Sequence, residues 1–304
     1  MRKLSIIICT YNRDKYLYNC LKNIAENDFP FENYEIVLIN NNSTDNTENE
    51  CRKFQKDFPQ TDFRYFVEKN QGLSFARNRG IDEAKGNVLV FLDDDAFVEK
   101  DYLKNLSENL KKHPDWSAFG GKITPKFESG ETPKWLSKWT YSWVSAIDLG
   151  KKTQEFLGEK YPIGANMGIK ADILAKIGKF NTELGRSKNN LMGGEEKDIF
   201  NRIKNFGGKI YYFPDIEVLH VIPESRTTTD YIKRMGLGVG MSEKIRTLSI
   251  SKTVYFKRLF AEAIKWVGSF VLFASFCAKL QWQKGAKLLF FRWNVTKGLL
   301  CKNF

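Results

Sequence analysis

The chain is poor in the residues that build closed metal sites or disulfide frameworks. Its 304 residues include only two histidines and five cysteines, and the cysteines are scattered without paired spacing. This argues against a zinc site and a disulfide scaffold, and favours free thiols in a reducing cytosol. A disordered chain is also excluded, because 42% of the residues are hydrophobic and 14% are aromatic.

Long apolar runs are missing too. The segment from Leu4 to Cys9 is followed by polar residues and is too short for the apolar core of a signal peptide, so we interpret it as a first strand. The most apolar stretch runs from Trp266 to Ala278, and its thirteen residues are fewer than the roughly 20 that span a bilayer. Internal repeats and low-complexity linkers are absent as well.

Acidic residues become rare near the C-terminus. Up to Ser225 the chain has 33 basic and 33 acidic residues, whereas from Arg226 onward it has 15 basic and three acidic ones, which accounts for the whole net charge of +12. We therefore divide the chain into a main domain, residues 1–225, and a basic, aromatic-rich helical region, residues 226–304. Such a region favours an anionic membrane surface, with a packed helical subdomain as the alternative. Without a recognisable nucleic-acid module, the charge does not indicate nucleic acid as a partner.

What the first half does contain is a regular alternation of strand-like and helix-like segments. Strands are predicted at 4–9, 34–39, 63–68 and 88–92, and helices at 14–27, 45–58 and 73–84. This order predicts an α/β fold built from βαβ units, with a mostly parallel Rossmann-like sheet flanked by helices. The loops after the four strands then share one edge of the sheet, where their polar residues can converge.

The fourth predicted strand ends in three adjacent carboxylates, Asp93, Asp94 and Asp95. Like charges this close repel one another, and a divalent cation such as Mg²⁺ or Mn²⁺ is the natural compensation. An acidic turn that caps the next helix is the competing interpretation.

A second acidic pair, Glu195 and Glu196, follows two glycines and opens a predicted helix. A carboxylate held near other acids is suited to general-base catalysis, although a solvated first helical turn is a fair alternative. His220 lies among apolar residues at a strand end, where a histidine usually packs rather than ligates.

Three tryptophans, Trp135, Trp139 and Trp143, recur every four residues and would form one stripe on a helix. Such a stripe can stack on a sugar, with Trp135 as the candidate contact, or pack into a core. Core packing is the favoured interpretation.

Seven motifs in unbroken order between residues 4 and 226 resemble those of the family 2 inverting glycosyltransferases of the GT-A fold. They read S-I-I-I-C-T-Y-N-R, N-S-T-D, N-Q-G-L-S-F-A-R-N-R-G, F-L-D-D-D, G-A-N-M, G-G-E-E-K-D-I-F-N-R and H-V-I-P-E-S-R. The resemblance implies a sugar transfer from a nucleotide-diphospho-sugar, most readily a UDP-sugar, to a hydroxyl of a glycan or lipid-linked acceptor. It also implies Mg²⁺ or Mn²⁺ as cofactor, a role in surface polysaccharide synthesis, and a peripheral location on the inner face of the cell membrane.

The resemblance also assigns the donor side of the site. Asp95 becomes a metal ligand, joined by His220, while Asp93 or Asp94 lies near the ribose. The remaining donor positions are base recognition by Thr10, Tyr11, Arg13 and Asn41, and a nucleotide contact by Arg77.

On the acceptor side, the resemblance makes Glu195 and Glu196 the catalytic pair, with Glu196 as the general base. Asn166, in G-A-N-M, is expected to line the sugar or acceptor pocket. Two positions depart from the family pattern. Asn40 and Asn41 replace two common aspartates, which leaves the nucleotide open, and Glu196 replaces an aspartate with an arm one bond longer.

Two other classes of protein compete with this interpretation. A Mg²⁺-dependent phosphatase or phosphotransferase with an aspartyl nucleophile would need Thr or Val after the acids, but Ala96 and Phe97 follow. A non-catalytic protein that binds sugar nucleotides is disfavoured by the intact acids at Asp95 and Glu196.

Overall fold

The computed structural model describes residues 3–185 and 193–301. Within them, the strands are β1 (Leu4–Thr10), β2 (Tyr34–Asn40), β3 (Phe63–Val67), β4 (Val88–Asp93), β5 (Ala96–Val98), β6 (Trp116–Phe127), β7 (Gln154–Glu155), β8 (Asn166–Lys170) and β9 (Lys209–Ile222). The helices are α1 (Asp14–Ala25), α2 (Thr47–Asp57), α3 (Leu73–Glu83), α4 (Tyr102–Lys112), α5 (Ala171–Ile177), α6 (Glu195–Asn205), α7 (Thr229–Ile250), α8 (Lys252–Ala278) and α9 (Trp282–Leu300).

One mixed sheet joins the strands in the order β3-β2-β1-β4-β8-β6-β9-β5, and β7 pairs with β9. Strands β1 to β4 pair in parallel, as predicted from the alternation of strands and helices. From β8 onward the pairings are antiparallel. The predicted α/β fold is therefore confirmed, and the parallel arrangement describes the first half of the sheet.

The sheet is covered on both faces because successive side chains of a strand point to opposite sides. In β1, Ile6 and Ile8 belong to the core shared with α1, α2 and α4, whereas Ile7 belongs to the core shared with α3, α5 and α6. All three are fully buried. Each such side chain contributes about 2–3 kcal/mol of transfer free energy, so this packing fixes the edge where the strands end.

Two elements differ in length from their sequence predictions. Helix α2 begins at Thr47 rather than Asp45, because the Asp45 carboxylate accepts hydrogen bonds from the backbone N–H of Thr47 at 3.1 Å and from its hydroxyl at 2.6 Å. The sequence also predicts a strand at 209–212. Strand β9 begins there but continues to Ile222, because its second half pairs with β5. That extension carries His220 into the sheet.

Contacts divide the chain into two compact units that interleave in sequence. The sheet unit comprises Met1–Lys126, Ser145–Glu183 and Glu195–Val221, and the helical unit comprises Phe127–Val144, Leu184–Gly194 and Ile222–Phe304. The predicted division at residue 225 treats the two parts as consecutive. The observed units instead give two internal segments of the predicted main domain to the helical unit.

In the helical unit, α7 and α9 approach closely through glycines. A methyl group at Gly240 would lie 2.8 Å from the Cα atom of Gly298, so neither position has room for a side chain. Helix α8 is 27 residues long and by length and composition alone could cross a membrane, since its most apolar window has a mean hydropathy of 1.5. The thirteen-residue apolar run therefore underestimated this helix, which extends well before it.

The predicted tryptophan stripe is wrong, because residues 133–140 form turns rather than a helix. Trp135 and Trp143 are buried with ring centroids 5.8 Å apart, and Trp143 stacks on Phe291 at 4.3 Å. Trp139 is 51% exposed. Core packing thus accounts for two of the three rings, including Trp135.

Candidate active site

The loops that follow the parallel strands lie at the same edge of the sheet, as predicted. In the ladder between β1 and β2, Thr10 lies opposite Asn40, and in the ladder between β1 and β4, Cys9 lies opposite Asp93. The backbone N–H of Asn41 donates to the Thr10 carbonyl at 2.8 Å. The polar loops therefore meet at the edge of the sheet where α/β proteins bind ligands.

Asp93, Asp95 and His220 form one cluster. One ligand atom from each lies within 4.8 Å of the others. The pairing of β5 with β9 creates this cluster, because it sets Ala96 opposite His220 and lets the Val221 N–H donate to the Asp95 carbonyl at 2.9 Å. His220 Nε2 consequently lies 3.0 Å from Asp95 Oδ1 and 3.9 Å from Asp93 Oδ2.

The chemistry of this cluster fits a divalent cation. His220 is fully buried, and neither of its ring nitrogens makes a hydrogen bond among the described residues. A buried imidazole in that state is costly. Two carboxylates beside it supply the oxygen donors that Mg²⁺ and Mn²⁺ prefer, and the Asp93 side chain is 34% exposed, which leaves the cluster open on one side.

Arg13 supplies the positive charge that the acidic run requires. Its guanidinium bonds to Asp95, and its Nε lies 3.4 Å from Asp94 Oδ1. Burial alone would lower the pKa of Arg13, but Asp94, Asp95 and Asp93 outweigh it and raise that pKa. Burial also raises the pKa of Asp94 to about 6, although Arg13 opposes the shift. Arg13 was expected to contact the nucleobase, whereas its contacts here are with Asp94 and Asp95.

Arg77 organises the second acidic pair. Buried on α3, its Nη1 lies 3.1 Å from Glu195 Oε1 and its Nη2 lies 3.2 Å from Glu196 Oε1. Burial would lower the pKa of Arg77, but the charges of Glu196, Glu195 and Asp93 raise it. The two acidic clusters, about a hundred positions apart in sequence, thus both act electrostatically on one guanidinium.

The two glutamates differ in access to solvent. The side chain of Glu195 is 5% exposed and that of Glu196 is 21% exposed. Glu196 Oε1 also accepts a hydrogen bond from the Gly164 backbone at 2.9 Å. A Cβ at Gly164 would collide with the ends of Arg77 and Glu196 and force these side chains to move. Sequence reasoning missed this role of Gly164, although it begins the recognised G-A-N-M motif.

The other predicted donor residues lie at the same edge. Asn41 is buried, and its amide joins two loops by accepting from the Gly72 N–H at 2.8 Å and donating to the Asn70 carbonyl at 2.7 Å. Thr10 is buried at the end of β1, and Tyr11 is half-buried just after it. Recognition of a base by these residues stays a prediction.

Asn166 makes its hydrogen bonds with neighbouring elements of the fold. It is fully buried; its Oδ1 accepts from the Tyr102 hydroxyl at 2.7 Å, and its Nδ2 donates to the carbonyls of Ile216 at 2.7 Å and Lys122 at 3.1 Å. Such an amide holds neighbouring elements together, and its expected place in the sugar or acceptor pocket stays a prediction.

A helix-flanked α/β sheet with one acidic cluster at its strand ends and a second in the first turn of α6 has the features of an enzyme that combines a metal ion with a general base. Residues 5–178 match the profile described as "Glycosyl transferase family 2". Because this match covers more than half of the chain, the chain belongs to that family.

Two curated relatives illustrate the similarity. The chain is 26% identical to the glucosyl-dolichyl phosphate glucuronosyltransferase of Haloferax volcanii over 84% of its own length and 83% of that protein. It is 38% identical to the GalNAc(5)-diNAcBac-PP-undecaprenol beta-1,3-glucosyltransferase of Campylobacter jejuni over 31% of its length and 30% of that protein.

Solved structures show the same fold. The mannosyltransferase PcManGT from Pyrobaculum calidifontis, in complex with GDP-Man and Mn²⁺, matches 99% of this chain and 88% of its own, with a TM-score of 0.68 and 18% identity. TarS 1–349 from S. aureus, in complex with UDP-GlcNAc, matches 97% and 91%, with a TM-score of 0.55 and 17% identity.

Proposed function

We propose that the chain is an inverting, metal-dependent glycosyltransferase that moves a sugar from a nucleotide-diphospho-sugar to a hydroxyl of a glycan or lipid-linked acceptor. The observation that carries the proposal is the pairing of Glu195 and Glu196 by the Arg77 guanidinium in a chain that also gathers two carboxylates and an imidazole into a metal-type cluster. A metal-type cluster and a carboxylate with solvent access at one sheet edge are what sugar transfer to a hydroxyl requires.

Glu196 is the proposed general base. Its carboxylate takes the proton of the acceptor hydroxyl while that oxygen bonds to the anomeric carbon from the face opposite the leaving group. The bond between the anomeric carbon and the diphosphate oxygen breaks, and its electron pair leaves with the nucleoside diphosphate. Arg77 and the Gly164 N–H both donate to Glu196 Oε1, which orients the carboxylate.

Asp93, Asp95 and His220 are the residues that would hold Mg²⁺ or Mn²⁺. When bound, such an ion supplies positive charge that stabilises a departing diphosphate. Arg13 keeps Asp94 and Asp95 in place through its contacts with both carboxylates. The Asp93 side chain is 34% exposed, so its carboxylate can accept a hydrogen bond from a ribose hydroxyl.

A UDP-sugar is the proposed donor. The matched solved structures hold both GDP-Man and UDP-GlcNAc, so the family fold accepts either nucleotide. Thermal unfolding with Mn²⁺ and a panel of UDP-, GDP-, dTDP- and CMP-sugars distinguishes them, because a ligand raises the unfolding temperature according to its occupancy. Stabilisation by another nucleotide alone would reject the UDP assignment.

The proposed acceptor is lipid-linked, and the proposed place of work is the anionic cytoplasmic face of a membrane, in surface glycan synthesis. The named substrates of the two relatives, a dolichyl phosphate and an undecaprenol diphosphate, support the first point. The concentration of positive charge after residue 225 supports the second.

Exchange of Glu196 for Gln tests the central claim. We expect transfer to fall by about 10²–10⁴-fold, the usual contribution of a general base, while donor binding persists. Glu195→Gln is the matched control, since it neutralises the neighbouring but less exposed acid. Turnover retained in Glu196→Gln and lost only in Glu195→Gln would move the base to Glu195. Phosphate release from phosphomonoesters without sugar transfer would instead favour the phosphatase interpretation.

A further inference from the structure

Helix α8 carries a row of large apolar side chains that face solvent. Six of them, each between 55% and 70% exposed, are Phe256, Phe260, Ile264, Val267, Phe270 and Val271. At 3.6 residues per turn they occupy about a third of the helix circumference over a length of about 22 Å. We call these six residues the α8 stripe. A continuous surface of this kind is unusual on a protein that meets only water.

On the side opposite the α8 stripe, charged side chains of α8 form ion pairs within the helical unit. Glu262 is buried and bonds to Arg258 of the same helix at 2.8 Å and to Arg292 of α9 at 3.1 Å. Arg258 also bonds to Glu243 of α7 at 3.0 Å. The helix is therefore oriented with its buried ion pairs toward α7 and α9, and its apolar stripe is left outward.

Basic residues border the stripe. Lys252 and Lys257 on α8 are exposed at the edges of the stripe, and Lys279 follows directly after the helix. Just beyond it, Leu280 is 90% exposed and Trp282 is 57% exposed. Lysines beside outward aromatic and aliphatic side chains complement an anionic lipid headgroup layer above a hydrocarbon layer.

We propose that α8 lies in the plane of an anionic membrane surface, with the α8 stripe inserted at the boundary between headgroups and acyl chains. This proposal depends on the proposed function in one respect: the membrane would present the lipid-linked acceptor to the enzyme. It differs from a transmembrane span, for which α8 is long and apolar enough. A span over the apolar window of α8 would place Glu262 and Lys265 in the hydrocarbon, where ionised side chains are costly. In-plane insertion leaves the ion pairs with α7 and α9 intact.

Vesicle flotation with phosphatidylcholine and phosphatidylglycerol tests the surface. We expect Phe260→Glu and Val267→Glu each to lower the partition of the full chain by about tenfold or more, since each removes a large apolar side chain from the lipid. Leu157→Glu is the matched control, because Leu157 is 71% exposed but lies in the sheet unit. Equal flotation of the stripe variants and the wild type would overturn the proposal.

Two further measurements distinguish in-plane insertion from a membrane span and from contact with a second copy of the chain. Release of the bound wild type from vesicles by alkaline carbonate supports in-plane insertion, whereas resistance to it would indicate a span. Sedimentation without lipid tests a second copy of the chain as occupant: a wild-type dimer that dissociates in Phe260→Glu, with no flotation by either protein, would overturn the membrane assignment. Donor-induced thermal stabilisation, expected to be unchanged in the stripe variants, separates failure of this surface from failure of the glycosyltransferase proposal.

Discussion

The sheet unit and the helical unit both bury charged side chains, but they arrange them differently. In the sheet unit, Arg77 and Glu195 are nearly inaccessible, and Glu196, bonded to the same guanidinium, remains 21% exposed. In the helical unit, Glu262 is 3% exposed between Arg258 and Arg292, and large apolar side chains of the same helix face outward.

The difference shows what distinguishes a reactive cluster from an architectural one. A buried ion pair contributes little net stability, because desolvation offsets the attraction between its charges. A cluster with one accessible carboxylate can still exchange a proton with a substrate. A cluster enclosed between helices can fix only their relative position, and here that position turns the α8 stripe outward.

The largest effect is expected from Glu262→Ala. Removal of this buried carboxylate takes its ion-pair partner from Arg292 and leaves Arg258 with Glu243 alone, which costs about 3 kcal/mol of unfolding free energy, the lower end for a broken buried pair. Denaturant unfolding followed by circular dichroism measures it. Glu48→Ala, which breaks the exposed 2.6 Å pair with Arg52, is the control and should change stability by less than about 1 kcal/mol. An equal loss of unfolding free energy in both variants would contradict a structural role for Glu262.

The next effect concerns the metal-type cluster. His220→Ala removes the buried imidazole beside Asp95 and should weaken Mn²⁺ binding by about a hundredfold. Calorimetric titration with Mn²⁺ measures the change. The other histidine gives the matched control: His113→Ala removes a ring that stacks on Tyr211 at 4.7 Å, far in sequence from the acids, and should leave the titration unaltered. A normal Mn²⁺ isotherm for His220→Ala would exclude it as a ligand.

Arg77→Lys tests whether Arg77 positions the two glutamates or contacts the nucleotide. A lysine lacks the planar fork by which Arg77 donates to Glu195 and Glu196 from two separate nitrogens. We therefore expect kcat to fall by about ten- to a hundredfold with little change in the donor KM. Steady-state kinetics separate the two constants. A raised KM with an unchanged kcat would restore the earlier expectation of a nucleotide contact. Arg79→Lys, two positions away and paired with Glu83, serves as the control.

The smallest effect is expected for Asn166→Ala. Loss of its three hydrogen bonds should lower the unfolding free energy by about 1–2 kcal/mol, because the carbonyls of Lys122 and Ile216 lose their donor. Thermal unfolding gives the stability, and kinetics with saturating donor should give a near-normal kcat in the folded protein. A kcat loss without a change in stability would return Asn166 to the sugar or acceptor pocket.

Local patterns predicted the first half of the fold well. The strands and helices up to β4 are encoded in hydrophobic period and turn residues, and Asp93 to Asp95 follow the last of these strands directly. The β5–β9 pairing escaped prediction because it joins residues more than a hundred positions apart. For the same reason the sequence showed His220 beside apolar residues, but not beside Asp95.

Other predictions were wrong because the spacing of apolar residues does not show which distant residues they pack against. The four-residue spacing of Trp135, Trp139 and Trp143 is typical of a helix, yet the segment folds as turns around Phe291 of α9. The thirteen-residue apolar run begins after Lys265, whereas α8 begins at Lys252 and includes Arg258 and Glu262, which the structure joins in ion pairs. Neither a turn nor a pair can be inferred from periodicity when the partner comes from another part of the chain.

By itself, the sequence determined the parallel strands, the acids at their ends and the excess of positive charge after residue 225, because these depend on residue type and near neighbours. Tertiary structure alone decided that Arg13 bonds to Asp94 and Asp95, that Arg77 joins Glu195 to Glu196, and that α8 turns its apolar side outward. Each of these outcomes depends on which distant side chain a charge meets once water is removed, and that is set only when the elements pack.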